Sequence, residues 1–192
     1  MIKCAVFDAD GTLIDSLGLW RETDEEYISS KGLVFDEGSY KDINKLTYGE
    51  SISFVKKVYG LTDSEEKISA DILAIVRKKY ANVKVNDGIT GLLDKLYEKG
   101  VRMAVATAND KELIELALDG TGLKKYFSFV ISCDEVGEGK NSALVFIRAA
   151  ELLGFGPCET LVVEDDQSYV ETAKDAGFYA VHVNDIGGIV IE

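Results

Sequence analysis

The chain has 192 residues, room for one ordinary domain or for one core carrying a small insert. Hydrophobic residues make up 46%, which supplies a packed core and excludes a disordered chain. Asp and Glu number 34 against 21 Lys and Arg, and the resulting net charge of −13 repels phosphate backbones and anionic lipid, so neither nucleic acid nor membrane is expected as a partner.

The apolar run Ile2–Phe7 predicts a buried parallel strand. It ends in Asp8 and Asp10, one residue apart, followed by Gly11 and Thr12. Alternate side chains of a strand share a face, so both carboxylates would stand together if the strand continued. Gly11 lets the backbone bend just after them. Open α/β sheets place ligands at the carboxyl ends of their strands. Hard oxygen ligands there suit Mg²⁺. A carboxylate nucleophile beside a second acid suits covalent phosphoryl transfer.

Residues 16–81 contain no convincing strand. Apolar spacing predicts helices over Leu17–Lys31, Tyr40–Leu46, Glu50–Tyr59 and Ser64–Tyr80. Thr62-Asp63-Ser64-Glu65 opens the last with capping residues and early acids. Asn82–Gly88 reads as a return hinge. From there strands and helices alternate. Strands are expected at Val101–Thr107, Phe127–Ser132, Thr160–Glu164 and Tyr179–Val183. Helices are expected at Ile89–Lys99, Lys111–Leu118, Ala143–Leu153 and Ser168–Ala176, three of them followed by a glycine. The fold class is therefore α/β, a doubly wound and mostly parallel sheet. Residues 1–15 and 82–192 form its core, and residues 16–81 form a small all-α insert after the first strand.

Three later strings carry chemistry. Thr107-Ala108-Asn109-Asp110 puts a hydroxyl at a strand tip before a helix N-terminus, an arrangement of donors suited to an anion. The plainer alternative makes Asn109 or Asp110 a simple helix cap. Gly137-Glu138-Gly139-Lys140 offers a lysine on a flexible approach, able to neutralise phosphate oxygens or simply to stay in solvent. Glu164-Asp165-Asp166 ends a buried strand in three acids, which repel unless a cation holds them. The alternative is an acidic helix start, which accounts for Asp166 better than for its two neighbours.

Asp8-Ala9-Asp10-Gly11-Thr12-Leu13-Ile14-Asp15 closely resembles the first motif of the haloacid dehalogenase-like superfamily. The Thr107, Lys140 and Glu164-Asp165 strings resemble its second, third and fourth, in order and over essentially the whole core. The resemblance implies a Rossmann-like core with a helical cap and a Mg²⁺-dependent phosphatase working through an aspartyl-phosphate. Asp8 would be the nucleophile and Asp10 the general acid and base. Thr107, Ala108 and Lys140 would bind the phosphoryl group. Asp8, Asp10 (through its carbonyl) and Asp165 would hold the metal, with Glu164 and Asp166 behind them. Glu164 would hold a metal-bound water or pair with Lys140. Two departures stand out. No Pro-rich stretch follows Lys140, where Asn141 or Ser142 would cap the helix, and Asp166 stands where relatives often have Ser.

Asp10 argues against a dehalogenase, because halide leaves without a proton. The implied substrate is a small phosphorylated metabolite such as a sugar phosphate, with no obligate protein partner. The alternative reading is a β-phosphoglucomutase-like isomerase. That branch carries a cap histidine near the place of Trp20, whereas the insert here has none. A phosphonate hydrolase would need a cap lysine, and Lys31, Lys41, Lys45, Lys56 and Lys57 read more simply as charged helix faces. A catalytically silent binding module is the remaining class, and turnover separates it. Trp20, Tyr27, Tyr48 and Phe54 read as insert core before they read as a substrate lining. Cys4, Cys133 and Cys158 match no metal or redox spacing, and with no signal peptide they predict a cytoplasmic protein. His182, the one histidine, lies far along the chain from the four motifs and reads as structural.

Overall fold

The computed structural model describes residues 2–43 and 48–189. The chain divides into two compact units, one of Met1–Leu17 with Tyr80–Glu192 and one of Gly18–Lys79. Tyr80, expected within the helical insert, belongs to the first unit.

In chain order the elements are β1 (Cys4–Phe7), α1 (Leu19–Ser30), α2 (Glu37–Ile43), α3 (Tyr48–Val58), α4 (Glu65–Tyr80) and α5 (Ile89–Glu98). There follow β2 (Arg102–Thr107), α6 (Lys111–Thr121), β3 (Phe127–Ser132), α7 (Cys133–Val136), α8 (Leu144–Leu153), β4 (Thr160–Glu164), α9 (Gln167–Asp175) and β5 (Tyr179–His182). The five strands form one parallel sheet in the order β3-β2-β1-β4-β5. This is the doubly wound architecture expected from the alternation.

β1 lies at the centre of the sheet and every one of its residues is buried. A strand covered on both faces must be apolar throughout, which accounts for Cys-Ala-Val-Phe. On one side, Val145, Phe146, Ala149, Ala150 and Leu153 of α8 pack with Val6, Ala104 and Val162 of the central strands. Val170, Ala173 and Phe178 extend the same cluster. Every strand runs the same way, so all five carboxyl ends share one edge. That edge carries Asp8, Thr107, Cys133 and Asp165 at or just past strand tips.

Among the described residues the second unit is helical. Its core is Tyr27, Ile28, Ile43, Ile52, Val55, Ile68 and Ile72, with Trp20 and Phe54 packed against it. Trp20, Tyr27 and Phe54 are thus core or core-flanking residues. The side chain of Tyr48, and Lys45 with the end of the helix expected over Tyr40–Leu46, lie outside the described residues. Ser64 Oγ accepts the Lys67 N–H at 3.3 Å and so starts α4 as its sequence predicts. Lys31 pairs with Asp63 at 2.8 Å and Asp71 at 3.4 Å, a charged face rather than a free amine.

The chain leaves and rejoins the first unit along a short hydrogen-bonded pair. Ile14 bridges Val85 antiparallel, Asp15 N–H donates to the Lys84 carbonyl at 2.9 Å, and Asn86 N–H donates to the Leu13 carbonyl at 3.0 Å.

The three cysteines are free thiols. Cys4 and Cys133 are buried and Cys158 is exposed. No helix among the described residues is long and apolar enough to cross a membrane.

Candidate active site

Asp8 follows β1 directly, and its N–H donates to the Val163 carbonyl of the neighbouring strand at 3.0 Å. The nucleophile candidate is therefore fixed by the central ladder. Lys140 comes from the turn between α7 and α8. Gly137 ends α7 with φ +80°, a conformation that favours glycine, and the chain then turns inward. The Lys140 ammonium is 3% exposed and donates to both Asp8 Oδ1 and Glu164 Oε1. The Phe146 and Tyr169 rings flank it at 5.7 and 6.0 Å.

Asp8, Glu164 and Asp165 each present an oxygen, and these atoms lie within 4.8 Å of one another. Three carboxylates thus surround one ammonium, which pairs with two of them. Burial pushes the carboxyl of Asp8 up, and that of Asp165 as well. Burial, reinforced by the charge of Asp8, pushes Glu164 up to about 8. Burial opposes the charge of Lys140, yet Asp8 and Glu164 together hold it well above the ordinary lysine range. One carboxylate oxygen, Asp8 Oδ2, is buried with no hydrogen-bond partner among the described residues. A buried anionic oxygen without a partner is costly. Three acids around one ammonium leave excess negative charge, which fits a divalent cation with oxygen ligands.

Asp10 does not join that cluster through its carboxylate. Oδ1 accepts from Ser16 Oγ at 2.6 Å and from the Tyr80 hydroxyl at 2.7 Å. Oδ2 accepts from Asn109 Nδ2 at 3.0 Å. The turn after Asp10 is braced from the return hinge. Asn86 Nδ2 donates to the carbonyls of Gly11 at 2.7 Å, Thr12 at 3.0 Å and Ile14 at 3.3 Å.

Thr107 ends β2, buried, and its Oγ1 accepts the Asn109 N–H at 3.0 Å. Ala108 is exposed at the start of the turn. Asp110 is the N-cap of α6 and accepts from Leu113 N at 3.1 Å. The two residues weighed as helix caps therefore divide the work: Asp110 caps and Asn109 reaches Asp10. Ser142 Oγ accepts the Leu144 N–H at 3.2 Å, but the N-cap of α8 is Ala143, so neither Asn141 nor Ser142 takes the cap position expected after Lys140.

Glu164 takes the Lys140 pairing, and its Oε2 accepts the Asp165 N–H at 3.2 Å. Asp166 is exposed and serves as the N-cap of α9, accepting from Ser168 N at 2.7 Å and Ser168 Oγ at 2.6 Å. Its carboxylate is committed there, which places it outside the buried acid cluster. His182, distant in sequence, is the strand neighbour of Glu164, and its Nδ1 accepts from Asn184 N at 3.1 Å. The parallel pairing of β4 with β5 brings it beside the fourth motif, which sequence distance alone does not reveal.

The sequence reading missed Tyr80 and Asn86. Both lie where the helical insert returns to the core. A tyrosine ending a helix and an asparagine beside a glycine hinge are the only local signals, and neither names a partner.

A family profile described as haloacid dehalogenase-like hydrolase matches residues 5–183. The phosphorylated carbohydrates phosphatase of Thermotoga maritima is 25% identical over 182 residues, covering 94% of this chain and 84% of its own. The phosphoglycolate phosphatase of Aquifex aeolicus is 30% identical over 182 residues, covering 92% of this chain and 82% of its own. Among solved structures, a Thermotoga maritima protein described as a candidate β-phosphoglucomutase shares the fold with a TM-score of 0.85 at 23% identity, covering 96% of each chain.

Proposed function

The chain belongs to the haloacid dehalogenase-like hydrolase family and is a hydrolase of phosphoric monoesters; from that premise we propose that it acts on a small phosphorylated metabolite, a sugar phosphate or similar, through an aspartyl-phosphate on Asp8. The observation that carries this reading is Asp8 Oδ2, a buried carboxylate oxygen left without a partner beside a buried ammonium. A nucleophile needs a free oxygen, and Oδ2 is free while Oδ1 is held by Lys140.

Asp8, Asp165 and the Asp10 carbonyl would hold Mg²⁺. When bound, the ion supplies positive charge that offsets the repulsion between an anionic carboxylate and an anionic phosphoryl group. Lys140, and Thr107 with the backbone at Ala108, would bind the equatorial oxygens as charge spreads over them. Asp8 bonds to phosphorus as the ester bond breaks. Asp10 gives a proton to the leaving oxygen, then takes one from the water that releases phosphate. Residues 16–81 would serve as the family's cap and choose the substrate. An isomerase reading is weaker, since the helical insert contains no histidine.

The test is phosphate release from p-nitrophenyl phosphate and from a panel of sugar phosphates and phosphoglycolate, with Mg²⁺ and with EDTA. Wild type should turn over in Mg²⁺, fall silent in EDTA, and lose activity in Asp8→Asn. Equal release by Asp8→Asn would rule out the covalent route. No release by wild type, with Mg²⁺ still raising its melting temperature, would favour a binding module.

A further inference from the structure

We infer that Tyr80 and Asn109 are positioning residues for Asp10, aiming its carboxylate so that Oδ2 carries the transferred proton. This rests on the phosphatase reading above. Asp10 stands past the end of β1, just before the Gly11 bend, where an isolated bridge to Ile14 engages its backbone but leaves its side chain unplaced. A carboxylate on such a turn is free to rotate unless something holds it.

Three donors hold it here. Oδ1 takes two, from Ser16 Oγ and the Tyr80 hydroxyl, at 2.6 and 2.7 Å. Oδ2 takes one, from Asn109 Nδ2, at 3.0 Å. Asn109 Nδ2 also lies 2.8 Å from the Tyr80 oxygen, so Tyr80, Asp10 and Asn109 close a ring of hydrogen bonds. Tyr80 is fully buried, which locks its ring and fixes where its hydroxyl points. The backbone N–H of Asn109 donates to Thr107 Oγ1, so the same residue ties the acid to the hydroxyl proposed to bind phosphate. An oxygen already accepting two hydrogen bonds has no lone pair left for a proton. Oδ2, with one, does.

The step balances without a co-reactant. An Asp8 oxygen forms its bond to phosphorus while the ester P–O bond breaks. The departing oxygen keeps that electron pair and takes the proton from Asp10 Oδ2. In the second half a water oxygen bonds to phosphorus, its proton returns to Oδ2, and the Asp8–phosphorus bond breaks.

A residue that only stabilises the fold would slow all substrates alike. One that aims a general acid matters most where the leaving group needs a proton. The experiment compares kcat/KM of wild type, Tyr80→Phe and Asn109→Leu in saturating Mg²⁺. The substrates are p-nitrophenyl phosphate, whose phenolate leaves unaided, and the best alkyl phosphate of the panel. Each variant should lower the alkyl-to-aryl ratio of kcat/KM by about tenfold, a modest part of the 10²–10⁴ that a placed acid supplies. Tyr80→Phe keeps the ring and Asn109→Leu keeps the side-chain shape, so failure of one to fold leaves the other as the test. Equal losses on both esters, or none, would overturn the positioning role and leave the phosphatase standing. Wild type inactive on p-nitrophenyl phosphate would instead remove the reading on which this rests.

Discussion

A side-chain carbon on Gly11 would fall 2.3 Å from Asp165 Oδ2, and the backbone there has φ +82°. The bend after the first motif and the acid of the fourth can approach this closely only because Gly11 has no side chain. Gly11→Ala must either push Asp165 aside or shift the turn, with about 1–2 kcal/mol of left-handed strain added. We expect it to lose at least about tenfold in Mg²⁺-dependent phosphate release, consistent with the sensitivity of catalysis to small misplacements. Its thermal shift with added Mg²⁺ should shrink as well. Wild-type activity and metal response in Gly11→Ala would show that the approach is not needed.

Lys140→Met leaves Asp8 and Glu164 buried without their ammonium, beside a half-buried Asp165. Breaking a buried ion pair costs about 3–5 kcal/mol. The variant should melt well below wild type in EDTA at pH 8. The carboxyls of Asp8 and Glu164, already raised by burial, would then titrate higher still in the folded chain. The folded state binds the extra protons, so stability of the variant falls as pH rises through the carboxyl range. The gap to wild type should accordingly narrow toward pH 4. A gap independent of pH would count against this account.

Asp24 of α1 is buried, and burial alone pushes its carboxyl up to about 6. Its ordinary value is near 3.8. Between those values the folded chain holds a proton that the unfolded chain has released. Stability therefore drops as pH climbs from about 4 to about 6 and is flat above, by about 2–3 kcal/mol at most. Asp24→Asn removes that loss. Denaturant unfolding should find it more stable than wild type at pH 7 and closer to it at pH 4. The reverse order would mean that the ionised carboxylate is stabilised in the fold.

Asn86 points one carboxamide nitrogen at three carbonyls of the Gly11–Ile14 turn. Asn86→Ala should cost about 1–3 kcal/mol, since it strips the Gly11 and Thr12 carbonyls of this donor. Asn86→Asp should be worse than Ala, because it sets a negative carboxylate against the same oxygens. Melting temperatures of the two variants check the order, and Asp equal to or better than Ala would refute it.

The residues that the sequence made legible are those whose signal is local. β3 and β4 cover the residues expected of them, because apolar β-branched runs bounded by turns leave little choice. β1 begins at Cys4 rather than Ile2, where pairing with β2 and β4 starts. α2 begins at Glu37, not Tyr40, because Asp36 Oδ2 accepts from Ser39 N at 2.7 Å and caps an earlier turn. The strand-tip strings brought Asp8, Lys140, Glu164 and Asp165 together because parallel strands present their carboxyl ends on one edge. Tyr80 and Asn109 were silent because their partner Asp10 lies 70 and 99 residues away, and a hydrogen bond across such a distance leaves no pattern in either segment. Asp166 follows the alternative its string offered: next to two acids of the cluster, its side chain caps the helix it opens.

The antiparallel contact of Ile14 with Val85 has a consequence for how the chain is assembled. The two ends of the helical insert are already joined by backbone hydrogen bonds belonging to the first unit. Closing a long excursion costs little more entropy than closing a short one. The first unit therefore meets the excursion as a loop whose ends are already closed, whatever its length. Residues 18–79 can be lengthened, exchanged or redesigned between those two segments while Ser16 and Tyr80 stay on Asp10 and the sheet keeps its row of acids. On the reading proposed above, the residues that would write a new substrate preference are thus linked along the chain, through one isolated bridge, to those that would carry the phosphorus chemistry.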